Sequence, residues 1–147
     1  MSTPQARDEL PTSAMERRNI FPAELAKRIV SGHALYAPVV RVENAKTLIY
    51  VSGLLARDSN GAIVGGGDMR AQIDQVGKNL VVALASAGAS PADLVRTTTY
   101  VTDIDEFFKH VDVRMKYFSA LPTSTTVEVR RLSHPDFMVE IDAIAAL

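Results

Sequence analysis

Residues 47–55 read TLIYVSGLL, a run rich in β-branched and aromatic side chains that reads as a strand. Alternation places Leu48, Tyr50 and Leu54 on one face and Ile49, Val51 and Leu55 on the other. Both faces are apolar, and this constrains the fold more than any other feature. The remainder of the chain offers two amphipathic helices, enough to cover one face of a five- to six-stranded mixed sheet. An exposed patch of several apolar strand residues exceeds what soluble monomers tolerate. The expectation is a closed homo-oligomer in which copies of the second face bury one another, with ligand clefts where subunits meet.

The element order follows from periodicity. A strand at residues 39–42 leads through the polar turn 43–46 into the strand at 47–55, and Asn60-Gly61 marks a tight turn before a brief strand at 62–64. Met69, Ile73, Val76, Leu80, Leu84 and Ala87 recur at helical spacing over residues 69–87, with Asp68 as N-cap and Gly88 as terminator. Residues 90–93 read as a capped single turn and 94–101 as a strand. Asp103 and Glu106 form a capping pair for a second helix over 104–119, with Ile104, Phe107, Phe108, Val111, Met115 and Phe118 as its inward stripe. Two strands, 125–132 and 137–145, close the chain as a hairpin through the turn 133–136. The result is an α+β two-layer sandwich. Residues 1–17 are polar, carry Pro4 and Pro11, and are expected to form a flexible tail; residues 18–147 form a single domain.

Charge and composition narrow the function. The net charge is −1, poor footing for a dedicated nucleic-acid binder, and no apolar run approaches the ~20 residues of a membrane helix. Nucleic-acid and membrane partners are therefore not expected. With no cysteine there are no disulfides, thiolate metal sites or cysteine nucleophiles. No secretory h-region precedes the domain, so a cytoplasmic location is expected. No G-x-S-x-G and no histidine-based metal motif occurs, and His33, His110 and His134 lie in unrelated segments. No metal or other cofactor is expected. Gly65-Gly66-Gly67 lacks the following Gly-Lys-Ser/Thr of a phosphate loop, and Asp68 would repel a phosphate there.

Two clusters remain. Glu128, Glu140 and Asp142 share a side-chain parity opposite to Val127, Val129, Val139 and Ile141. That parity either faces water or holds a carboxylate beside a cleft, where it can move a proton or position water. Thr123-Ser124-Thr125-Thr126 is a hydroxyl cluster able to donate hydrogen bonds to a ligand, or simply to serve β propensity and turn bonding.

Several stretches together resemble the reactive intermediate deaminase family, also called RidA-like or YjgF-like. They are Tyr36-Ala37-Pro38-Val39-Val40-Arg41-Val42, Ile49-Tyr50-Val51-Ser52-Gly53, Gln72 through Gly88-Ala89-Ser90, and Asp93-Leu94-Val95-Arg96-Thr97-Thr98. Val101-Thr102-Asp103-Ile104-Asp105-Glu106-Phe107, Val127-Glu128-Val129 and Val139-Glu140-Ile141-Asp142-Ala143-Ile144-Ala145 complete the set, in collinear order over residues 36–147. The resemblance implies a chorismate-mutase-like fold and a homotrimer whose sheets close into a barrel with ligand sites at subunit interfaces. It also implies hydrolysis of reactive enamines or imines, such as 2-aminoacrylate or 2-aminomuconate, to a carbonyl compound and ammonia.

In the family an arginine opening the penultimate strand forks onto the substrate carboxylate. The pattern P-x-R-S-x-V-E-V falls on Pro122-Thr123-Ser124-Thr125-Thr126-Val127-Glu128-Val129, so Ser124 stands at the arginine's place. A hydroxyl does not replace a fixed guanidinium. Losing one charge-assisted pair typically costs about 3 kcal/mol, roughly a hundredfold. An altered substrate range is expected. Glu140 is the expected catalytic residue, as general base or water holder, with Tyr36, Ser124, Thr125 and Thr126 as substrate contacts and Arg96 or Arg131 assisting an anionic group. The alternative is a non-catalytic member that binds a small metabolite or a partner protein.

Overall fold

The computed structural model describes residues 13–147. Four short strands come first: β1 (Glu16–Ile20), β2 (Ile29–Val30), β3 (His33–Ala34) and β4 (Val39–Glu43). Strand β5 (Leu48–Leu54), helix α1 (Met69–Ser86), a 3-10 turn at Pro91–Asp93 and strand β6 (Leu94–Val101) follow. Two short helices, α2 (Ile104–Phe108) and α3 (Val111–Met115), precede strands β7 (Thr123–Glu128) and β8 (Val139–Ala146).

The principal sheet is mixed and runs β5-β8-β6-β7, with β6 and β7 parallel and β8 antiparallel to both of its neighbours. α1 connects the parallel pair β5 and β6, and α2–α3 connect β6 to β7. Crossovers of this kind share one hand, so two made in the same direction lay their helices on the same face. That face is the core. Ile73, Val76, Leu80 and Leu84 of α1 meet Ile49, Leu94, Val101, Val139, Ile141, Ala143 and Ala145 of the sheet, and Phe107, Val113 and Phe118 seal the flank. Asp68 caps α1 by accepting from the Ala71 amide at 3.0 Å, and Gly88 follows its end at φ +81°. Among the described residues no helix is long and apolar enough to cross a membrane.

Several sequence expectations change. The principal sheet has four strands, because β4 pairs with β1 and β2 with β3, each as a separate two-stranded ladder. The expected tail through residue 17 ends sooner. Glu16 and Arg17 lie in β1, where Arg17 donates to the carbonyls of Ala92 (2.7 Å) and Ala120 (2.8 Å). Residues 1–12 of that tail lie outside the described residues. The brief strand expected at 62–64 is a single bridge between Arg57 and Ile63. A bulge between Val51 and Leu54 turns Leu54 inward against the core, away from the face of Leu48 and Tyr50.

The second helix is broken. The amides of Lys109 and His110 bond three residues back, to Glu106 and Phe107, which advances the chain faster than an α-turn. The inward face rotates accordingly, so Val113 and Arg114 are buried while Met115 is only partly so. Finally, β7 and β8 are not a hairpin. Residues 129–138 carry the chain over β6, and β8 enters the slot between β5 and β6.

Candidate functional site

A cleft of about 220 Å³ opens at the β7 edge of the sheet, between that strand, the helices α2 and α3, and the β2–β3 hairpin. The hairpin turns on Ser31 (φ +50°) and Gly32 (φ +78°), a backbone that favours a tight two-residue connection. Its flanks deliver Arg28, Leu35 and Tyr36 to the cleft, while α2 contributes Ile104 and Phe108. α3 contributes Arg114, and β7 contributes Ser124, Thr125 and Thr126. Asp103 caps α2 by accepting from the Glu106 amide at 2.9 Å, and Glu128 accepts from the Ile104 amide at 3.0 Å, which fixes the start of α2 against the end of β7.

The cleft's chemistry is one-sided. Its lining carries two guanidinium groups, the hydroxyls of Tyr36, Ser124 and Thr126, and no acidic side chain. Arg28 lies over the Phe108 ring, 4.5 Å from its centroid. Arg114 is 3% exposed, and burial pulls its pKa down to about 10. Nη1 donates to the Leu35 carbonyl at 3.0 Å and approaches the Met115 sulfur at 3.4 Å, and Nη2 donates to Ser124 Oγ at 3.3 Å. The Phe118 ring centroid lies 5.1 Å from the guanidinium carbon.

Of the residues expected from sequence, Tyr36, Ser124, Thr125 and Thr126 converge here. Arg96 does not line the cleft: it lies on the opposite sheet face, where it donates to Thr125 Oγ1 at 2.7 Å, so the Thr125 hydroxyl also points away from the cleft. Glu140 and Arg131 lie elsewhere. Together with Gly53, Tyr100 and Asp142 they line a shallow depression on the face that no helix covers. Gly53 makes this possible, because a Cβ there would overlap the Glu140 carboxylate. Tyr100 donates to Asp142 at 3.3 Å, and the negative charge of that carboxylate raises the Tyr100 pKa.

Glu128 does not share the face of Glu140. The registers Val101↔Glu128 and Tyr100↔Glu140 put the two carboxylates on opposite sides of the sheet, since β6 intervenes between their strands. Of the histidines, His110 sits 3.0 Å from Glu106 and His134 accepts from the Asp136 amide at 3.1 Å, both local contacts.

Sequence reasoning missed Arg28, Phe108 as a cleft residue, and Arg114. A signal for Arg114 was present. Phe107, Val111, Arg114 and Phe118 are spaced 4-3-4, an inward stripe on which the arginine takes a core position.

A two-layer α+β subunit with a cation-bearing, acid-free cleft at one sheet edge is built to receive a small polar molecule. Comparison with known proteins places it more closely. The chain belongs to the family described as Endoribonuclease L-PSP, the RidA/YjgF/RutC family, whose model matches residues 28–147. It is 34% identical over 112 residues to the 2-iminobutanoate/2-iminopropanoate deaminase of Rattus norvegicus, an alignment covering 75% of this chain and 78% of that one. It is 32% identical over 110 residues to the 3-aminoacrylate deaminase RutC of Acinetobacter baylyi, covering 74% and 86%. A solved structure of a Rid-family protein of unknown function from Yersinia pestis superposes with a TM-score of 0.76 at 31% identity, over 89% of this chain and 98% of that one.

Proposed function

We propose that the protein hydrolyses a reactive enamine or imine, of the 2-aminoacrylate or 2-aminomuconate kind, to a carbonyl compound and ammonia. The observation that carries this reading is the cleft itself: hydroxyls of Tyr36, Ser124 and Thr126 around a positively charged, acid-free interior. Two relatives named as deaminases of 3-aminoacrylate and of 2-iminobutanoate support the reaction class. Ser124, at the place of the family arginine, shifts the substrate range.

The chemistry asks little of the protein. An enamine takes a proton at carbon to become an imine, water adds to the C=N carbon, and the resulting carbinolamine expels ammonia as the carbonyl forms. The protein holds the substrate, orients the water and relays protons. Glu140 is the water holder in this reading. Within one subunit it lies across the sheet from the cleft, so a neighbouring copy supplies it. The face that carries Glu140 also exposes Leu48 (57%), Tyr50 (73%) and Val127 (38%), apolar groups that a homotrimeric barrel would bury.

The test is ammonia release from 2-iminobutanoate generated in situ. Wild type accelerates release, and Glu140→Gln slows it about a hundredfold while keeping the wild-type mass in solution. Full activity in Glu140→Gln removes the mechanism. A protein monomeric at micromolar concentration removes the shared site. The separation of Glu140 from Ser124 within one subunit favours a second reading, a cleft that binds without turnover. Ligand-dependent thermal stabilisation with no ammonia release would establish it.

A further inference from the structure

We infer that Arg114 is the anchor for a carboxylate group of the ligand, a guanidinium brought by α3 to the point where β7 presents Ser124. The inference deepens the deaminase reading and rests on it for the identity of the substrate.

Arg114 is electrostatically unbalanced. A guanidinium carries one full charge and five N–H donors. Arg114 is almost wholly buried, yet among the described residues no carboxylate lies within ion-pair distance of it. What it has instead is one carbonyl, one thioether, one hydroxyl at 3.3 Å and an aromatic face. These are neutral acceptors, two of them weak. A buried charge held this way stays costly until a counter-ion arrives.

The cleft opens against the guanidinium, and among the described residues nothing acidic lines it. Arg28 at its mouth adds a second positive charge, and its stacking on Phe108 keeps that charge over the entrance. An anion entering the cleft therefore gains attraction from both groups and meets no carboxylate in the lining. Nη2 now donates to Ser124 Oγ at 3.3 Å, and a planar carboxylate displacing that long bond would meet the guanidinium fork. Ser124 matters for its size: a short side chain leaves the space through which the ligand reaches Arg114. A phosphate is the other common anion for arginine, but the described cleft offers no helix N-terminus of useful length beside it. The planar fork favours the carboxylate.

The experiment measures binding and turnover separately. The probes are 2-oxobutanoate, the product expected from 2-iminobutanoate, and its methyl ester, which matches it closely but carries no charge. Calorimetry on the full chain should show the acid binding at least tenfold more tightly than the ester. Arg114→Met and Arg114→Lys should each weaken the acid by about thirtyfold and leave the ester unchanged. Equal affinity of wild type for acid and ester overturns the inference and needs no variant that might misfold. Undiminished acid binding by a folded Arg114→Met overturns it as well. Acid binding that depends on Arg114 without ammonia release from any imine supports the anchor and overturns the deaminase reading. Ammonia release that Arg114→Lys leaves unchanged in KM overturns the anchor and keeps that reading.

Discussion

Gln72 offers a sharp quantitative test of how the fold holds the segment that leads into β8. The side chain belongs to α1 and is fully buried. Its Nε2 donates to the Asp136 carbonyl at 2.7 Å, and its Oε1 accepts from the Met138 amide at 2.7 Å. One amide group thus satisfies a donor and an acceptor of the backbone stretch just ahead of β8. Gln72→Met keeps length and volume and removes both bonds. At about 1–1.5 kcal/mol per bond, the loss should be about 3 kcal/mol, or a fall of roughly 10 °C in Tm for a chain of this size. Urea unfolding followed by circular dichroism, at one fixed protein concentration, measures it. Amide exchange at Met138 should quicken in parallel. Gln72→Glu sharpens the logic. Its ionised form still accepts from Met138 but sets a negative charge against the Asp136 carbonyl, whereas its protonated form can donate to it. That variant's pKa is therefore raised in the fold, so its deficit against wild type should be small at low pH and grow as pH rises. A Gln72→Met protein that loses less than about 1 kcal/mol would refute the reasoning.

Tyr117 donates to Asp74 at 2.6 Å, and burial, aided by that carboxylate, raises the Tyr117 pKa from 10.0 to about 12. Because the folded value is the higher one, the stability from this pair is complete below about pH 10 and disappears between about pH 10 and 12. Absorbance titration at ~295 nm should show a late phenolate that Tyr117→Phe abolishes. Gly77 faces the same ring, and a Cβ there would overlap it. Gly77→Ala should therefore destabilise by about 1–3 kcal/mol in chemical unfolding, despite alanine's better helix propensity, and should bring the Tyr117 titration back toward its ordinary value.

The legible parts of the fold were those that local chemistry decides. β6 coincides with the run of threonines and valines, and α1 begins where Asp68 caps it and ends just before Gly88. The break between α2 and α3 carries neither glycine nor proline. It follows from packing, which needs Phe107 and Arg114 on the inner side of two differently phased turns. Pairing was less legible than strand identity. Strands 125–132 and 137–145 look like a hairpin because a turn signal joins them, and nothing local reveals that β6 lies between. The hydroxyls of the site could be read from their cluster. The guanidinium that charges it stands on an inward helical position where sequence patterning expects an apolar side chain.

Where β8 sits bears on how the molecule is assembled during synthesis. Its two neighbours, β5 and β6, leave the ribosome earlier, and until residues 139–146 arrive each presents a bare row of amides and carbonyls along an empty groove. The hydrophobic layer beneath α1 is likewise incomplete, since Val139, Ile141, Ala143 and Ala145 are its floor. A nascent chain of this design is most vulnerable to intermolecular strand capture just before its last strand emerges. Burial of the closing strand at the centre, rather than at an edge, makes completion of the sheet a single late event.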